Sequence, residues 1–254
     1  LEPNFGCCTA NFNQGWPKFA LSAFMHSGNT VINALPVPSE LRTDGFNINL
    51  ETEYPFKNSF KYTVNSDIEF EFKIRIPSFA ENVTVNGEKA DIGVLSFKIT
   101  PCKNRTIEIS YETRPVLISR PYGLNTARCG SLVFSLPIKY EKRMHEYTHE
   151  GVERKFPYCD YELIPQSDWN YAFCSDKLEA EYRTVGNSPF SESEPPVVLK
   201  ASVCKIDWDY ADGYETVCDK IPHSTNPLSN PEAAELYPYG CAKLRMTEIP
   251  RIKK

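Results

Sequence analysis

The stretch from Ile68 to Ile76, Ile-Glu-Phe-Glu-Phe-Lys-Ile-Arg-Ile, alternates apolar and charged side chains without interruption. Successive residues of an extended chain point to opposite faces, so this segment reads as a half-buried strand with one apolar and one wet face. Beyond it comes VTVNGEKA (83–90), where Asn86-Gly87 offers the positive φ values of a type I′ hairpin turn. VLSFKIT (94–100) and RTIEISYE (105–112) add two more alternating strands, and a β-sandwich is the economical reading. SLVFSLPI (131–138), PVVLKASVCKI (196–206) and CAKLRMTEI (241–249) predict a second β unit. Long polar, Pro-rich connections at 186–196 and 222–231 run between these later strands, and turn residues at Arg120-Pro121-Tyr122-Gly123 predict the boundary between the units.

One helical signal precedes the strands. Pro17 suits the first position of a helix, and Lys18 to Met25 can run on with Phe19, Ala20, Ala23 and Phe24 on the buried side, ending by Gly28.

With 254 residues and 41% apolar side chains, the chain can fill the cores of one large or two ordinary domains. A net charge of −5 and no basic block longer than the terminal RIKK argue against a nucleic-acid or anionic-membrane surface. No apolar run reaches the ~18 residues of a membrane span, so a soluble chain is expected; its compartment is left open. A start at Leu1, without a basic and apolar leader, reads as a piece of a longer chain. Asn82-Val-Thr84 and Asn104-Arg-Thr106 fit the glycosylation acceptor pattern.

Nine cysteines, an odd number without a C-x-x-C pair, argue against a disulfide framework or a self-contained zinc finger, and most read as buried thiols. Cys7 and Cys8 are adjacent, and on these residues alone they read either as two small hydrophobes in a packed loop or as a pair of zinc thiolates. Two thiolates on one tetrahedral zinc sit about 3.8 Å apart, whereas neighbouring side chains diverge on a strand and on a helix. Convergence requires an irregular turn, for which Gly6 supplies backbone freedom and Thr9 and Asn11 supply hydrogen bonds.

The whole string GCCTANFNQGWPKF (6–19) closely resembles the signature around the adjacent cysteines of glycoside hydrolase family 127, the β-L-arabinofuranosidases. Further matches follow in order: ETEYPF (51–56), RIPSFA (75–80) with VTVNG (83–87), YETRPVLI (111–118), FPYCDYELIPQSDWNYAF (156–173) and YPYGCAKLRMTEIP (237–250). The resemblance implies a mainly β fold: residues 1–28 as the last helical remnant of an (α/α)6 catalytic barrel, then two jelly-roll-like β-sandwich domains at 29–123 and 124–254. It implies Cys7 as catalytic nucleophile and zinc ligand, Cys8 as a second ligand to Zn²⁺, and the remaining ligands and the general acid/base Glu upstream. The implied reaction is retaining hydrolysis of an L-arabinofuranoside-containing oligosaccharide or glycoconjugate, with a thiolate in place of the usual carboxylate. The upstream barrel of the same chain is the partner it implies, a second copy of the chain is a further candidate, and the fragment alone is expected to be inactive.

Two other readings compete. A β-sandwich carbohydrate-binding or interaction module without catalysis would share the fold. His145-Glu-Tyr-Thr-His149 fits H-E-x-x-H, in which histidines one helical turn apart bind zinc. Its surroundings, KYEKRMHEYTHEGVERK, lack the apolar face of a buried helix and read as a solvated loop. Trp169-Asn-Tyr171 is the natural place for sugar stacking, with core packing the more frequent use of such rings. Arg75 and Arg114 read as exposed strand residues, Cys241 as buried, and His26 and His223 have no identifiable partner in the sequence.

Overall fold

The computed structural model describes residues 7, 11–214 and 217–253, which fall into two compact units, Leu1–Thr113 and Arg114–Lys254. The first unit holds a short helix, α1 (Gly15–Leu21), and ten strands. These are β1 (Phe24–Ser27), β2 (Thr30–Asn33), β3 (Ser39–Arg42), β4 (Phe46–Thr52), β5 (Ser59–Ser66), β6 (Phe70–Ile76), β7 (Glu81–Val85), β8 (Glu88–Lys89), β9 (Gly93–Ile99) and β10 (Cys102–Glu112).

They form two sheets, ordered β1-β2-β6-β9 and β3-β4-β5-β10-β7-β8, with β2 and β6 parallel and the other pairs antiparallel. The alternation that begins the sequence reading places Phe70, Phe72, Ile74 and Ile76 of β6 inward. From the facing sheet come Ile48, Leu50, Tyr62, Val64, Ile107 and Ile109. Tyr62 meets Phe72 edge to face with centroids 5.4 Å apart, and Phe46 stacks on Phe70 at 4.3 Å, so aromatic contacts join the two layers. Asn86 and Gly87 adopt φ of 49° and 84°, as the β7–β8 hairpin requires.

Polar groups are buried in this unit as well. Asn33 is buried, its Nδ2 donating to the carbonyls of Ala23 (2.9 Å) and Leu35 (3.1 Å) while its Oδ1 accepts from the Tyr62 hydroxyl at 2.8 Å. The amide ties the segment after α1 to the sandwich, and every one of its bonds replaces water that the core excludes. Tyr62→Phe strips the acceptor of its donor and is expected to cost about 1–3 kcal/mol in urea denaturation. A loss below a few tenths of a kcal/mol would show that the bond contributes nothing net.

The second unit carries β11 (Pro115–Ser119), β12 (Leu124–Cys129), β13 (Leu132–Pro137), β14 (Tyr140–His145), β15 (Tyr147–His149), β16 (Val152–Arg154) and β17 (Asp160–Pro165). It continues with β18 (Tyr171–Phe173), β19 (Glu179–Tyr182), β20 (Val197–Lys205), β21 (Glu232–Pro238), β22 (Arg245–Met246) and β23 (Glu248–Pro250). Nine strands share one hydrogen-bonded network along β11-β12-β13-β21-β20-β18, with β19, β22 and β23 attached to β20, β13 and β12. Phe134, Leu199, Ile206, Leu236 and Ile249 are its fully buried large side chains. β14 pairs with β17 and β15 with β16 as separate two-stranded ribbons.

Four expectations change here. α1 stops at Leu21 and buries no residue; Phe19 and Ala20 are exposed, and Phe24 opens a strand instead of extending the helix. Ile68 lies before β6 and is exposed. Pro121–Gly123 is the turn of the β11–β12 hairpin, so the division into units falls earlier, between Thr113 and Arg114. CAKLRMTEI is not one strand: Cys241 ends a 3-10 turn, and only Arg245–Met246 and Glu248–Pro250 pair. Among the described residues no helix is long and apolar enough to cross a membrane.

Candidate functional site

Cys7 has helical backbone and an exposed side chain, and it lies in the same unit as the sandwich. Asn11 Nδ2 donates to the Cys7 carbonyl at 2.7 Å, four residues back, which is the spacing of a helical turn where an irregular tight turn was expected. The chain of contacts continues through Gln14 Nε2 to Asn11 Oδ1 (2.7 Å) and Lys18 Nζ to Gln14 Oε1 (3.0 Å), one helical turn at a time. These bonds hold the segment behind Cys7 in register with α1. Cys8, Gly6 and Thr9 lie outside the described residues.

The surface next to this cysteine is unusual. Phe12, Trp16 and Phe19, spaced i, i+4 and i+7, are 76%, 74% and 42% exposed, and Leu21 is 80% exposed. Trp16 and Phe19 meet edge to face, with centroids 6.2 Å apart. A helix of 7 residues with Trp16, Phe19 and Leu21 in water gains little stability of its own. Among the described residues no group of three or more His, Cys, Asp or Glu side chains converges on a possible metal position.

The other sequence candidates separate cleanly. His145 ends β14 and His149 ends β15, in extended backbone with all six side chains from His145 to Glu150 exposed. His145 Nε2 contacts Glu162 Oε2 at 3.2 Å, and Glu146 Oε1 accepts the Phe156 N–H at 2.9 Å. The one-turn helical spacing that a zinc protease needs is absent, which removes that reading. The segment is also a ribbon where a loop was expected. Arg75, Arg114, His26 and His223 are exposed, and Cys241 is buried, its thiol donating to the Pro189 carbonyl at 3.8 Å and pushed up to about 11 by desolvation.

Two features escaped the sequence reading. Cys174 and Cys204 are joined by a disulfide across neighbouring strands, with Cα atoms 6.2 Å apart. Trp169 is buried against Trp208 and Tyr210 beneath an open cavity, and the repeated pattern Asp-Trp-Asx-Tyr at 168–171 and 207–210 was the available signal.

Residues 30–100 match the family model described as beta-L-arabinofuranosidase, GH127 middle domain. A GH127 β-L-arabinofuranosidase from Geobacillus stearothermophilus T6 superposes with a TM-score of 0.62 at 19% identity, covering 97% of this chain and 37% of its own. A protein described as a glycoside hydrolase gives 0.57 at 16% identity, covering 98% and 40%. A GH127 β-arabinofuranosidase gives 0.52 at 15%, covering 97% and 39%. At these identities the likeness is one of fold. The chain therefore spans no more than 40% of the length of the proteins it resembles. No curated protein sequence matches the chain.

Proposed function

We propose, for a chain that carries the GH127 middle domain at residues 30–100, that it is the C-terminal part of a retaining glycoside hydrolase acting on β-L-arabinofuranosides, with Cys7 as nucleophile. The observation that carries this reading is continuity: α1, with Trp16, Phe19 and Leu21 in water, follows Cys7 in the sequence and leads into that middle domain, where Asn33 bonds the Ala23 carbonyl. The missing cover is assigned to the helical barrel of the longer enzyme.

In this mechanism Cys7 Sγ, as thiolate, attacks the anomeric carbon of the bound sugar. A C–S bond forms as the glycosidic C–O bond breaks, and the departing oxygen takes a proton from a general acid outside these residues. Water then displaces the thiolate at the same carbon, and two inversions return the original configuration. A cysteine thiol with a pKa of about 8.5 is mostly protonated at neutral pH, so the step needs a source of positive charge. Zn²⁺, when bound, supplies it by keeping the thiol ionised. Cys7 is a suitable soft donor for that ion and Cys8 is proposed as a second; among the described residues no three His, Cys, Asp or Glu side chains converge, and the other donors are assigned to the longer enzyme.

Release of nitrophenol from p-nitrophenyl β-L-arabinofuranoside tests the assignment. The full-length enzyme is expected to turn the substrate over, and the 254-residue chain is expected to be inactive because it lacks the acid. Turnover by the chain alone would place the acid within these residues and overturn the division of labour; an inert full-length enzyme would overturn the substrate class.

A further inference from the structure

The two tetrapeptides Asp168-Trp169-Asn170-Tyr171 and Asp207-Trp208-Asp209-Tyr210 lie side by side in the second unit. The Ile206 N–H donates to the Asn170 carbonyl at 2.9 Å, and Asn170 Nδ2 donates to the Ile206 carbonyl at 3.3 Å. The indoles of Trp169 and Trp208 meet edge to face, centroids 5.8 Å apart, and Trp169 also packs on Tyr210 at 5.1 Å. Trp169 Nε1 donates to the Tyr210 hydroxyl at 3.0 Å and Trp208 Nε1 to the Asp219 carbonyl at 2.9 Å, so both indole N–H groups are used inside the protein. The rings are thereby locked.

They form the floor of a cavity of about 590 Å³ whose rim carries Gln166, Asp168, Asn170 and Asp209. That volume falls within the range of small-molecule sites, ample for one or two sugar rings. Trp169 and Trp208 are only 9% and 4% exposed, so their faces serve packing and leave edges to a ligand. Recognition therefore falls to the polar rim. Carboxylates accept hydrogen bonds from hydroxyl groups, and side-chain amides both donate and accept, which together match the vicinal hydroxyls of a saccharide. Lys205 pairs with Asp168, while among the described residues Asp209 Oδ1 accepts the N–H of the following residue, Tyr210. The rim is net acidic and selects against an anionic ligand.

We propose that this cavity is a binding site for a neutral saccharide, with Asp209 and Gln166 accepting and donating hydrogen bonds to its hydroxyls over the Trp169–Trp208 floor. The site draws on none of the chemistry of Cys7 and stands whether or not the hydrolase reading does.

Intrinsic fluorescence reads it directly. The chain has 3 tryptophans, and Trp16 lies in the other unit, so Trp16→Phe leaves the cavity pair as the only reporters. Titration of that 254-residue variant with L-arabinose, a β-L-arabinofuranosyl disaccharide and D-galactose is expected to give a saturable change with at least one of them. D-Galacturonate is expected to bind roughly tenfold more weakly or not at all, from its charge. Asp209→Asn and Gln166→Ala, each with an unchanged thermal melt, are expected to weaken binding by roughly tenfold. No saturable change with any neutral sugar, or binding indifferent to both substitutions, would overturn the site. Saturable binding beside an inert full-length enzyme would sink the hydrolase reading and leave this one intact; turnover without a fluorescence change would do the reverse.

Discussion

Cys7→Ala in the full-length enzyme is expected to lower kcat/KM for an aryl β-L-arabinofuranoside by roughly 10⁴-fold or more, the scale seen when a covalent nucleophile is removed from its catalytic unit. On the proposed mechanism the loss falls in kcat, because the thiolate would bond to the sugar only as the transition state is reached. Cys7→Ser should not rescue it, since a hydroxyl is a far weaker nucleophile than a thiolate without a dedicated base. Stability gives the control. Cys7 is exposed, so its truncation to alanine is expected to change the unfolding free energy by no more than about 0.5 kcal/mol. Unchanged folding with abolished turnover separates a nucleophile from a packing residue. Retained turnover would reduce Cys7 to a surface thiol.

The second large effect lies in the core. Phe72→Ala is expected to destabilise the first unit by about 3–5 kcal/mol, because the ring is 0% exposed and its deletion leaves a cavity between two sheets, each stiffened by its own strand hydrogen bonds. Phe72 stands between Val31 of β2 and Phe97 of β9 in register and meets Tyr62 of the opposite layer, so no single neighbour can move in to fill the space. Val94 on β9, 60% exposed, provides the comparison: Val94→Ala is expected to fall within about 0.5 kcal/mol. Urea denaturation followed by fluorescence measures both. A loss below about 1 kcal/mol for Phe72→Ala would mean that the sheets collapse onto the gap and that the layered core is looser than its packing indicates.

The sandwich was legible where burial imposes a period. β6 alternates because one face is sealed by the opposite sheet, and Asn86-Gly87 turns because few other residues accept positive φ twice in succession. Where no core demands alternation, the pattern fails. β14 exposes five of its six side chains, its charges mask the period, and a ribbon resembles a loop. The segment after Leu21 misleads for a different reason. Ala23 and Phe24 fit a helical face as well as a strand, and the choice is made by pairing with β2 across Gly28 at φ 57°. Pro121 and Gly123 signal a turn correctly, yet a hairpin and a domain boundary use the same residues.

Chemistry was less legible than fold. The Cys174–Cys204 bridge depends on β18 lying beside β20, a long-range adjacency that cysteine spacing does not encode. The cavity over Trp169 needs Asp209 and Gln166 from separate loops. Cys7 came forward through its string of neighbours, because a single exposed thiol carries no signal of its own.

The most direct test of Cys7 is to quench the full-length enzyme with acid during turnover of an activated arabinofuranoside and locate the sugar by peptide mass mapping. One pentosyl group on the sulfur of Cys7, absent from Cys7→Ala, is the expected result. A pentosyl ester on an aspartate or glutamate, with Cys7 unmodified, would contradict the thiolate mechanism and return the chain to the role of a β scaffold for a carboxylate enzyme.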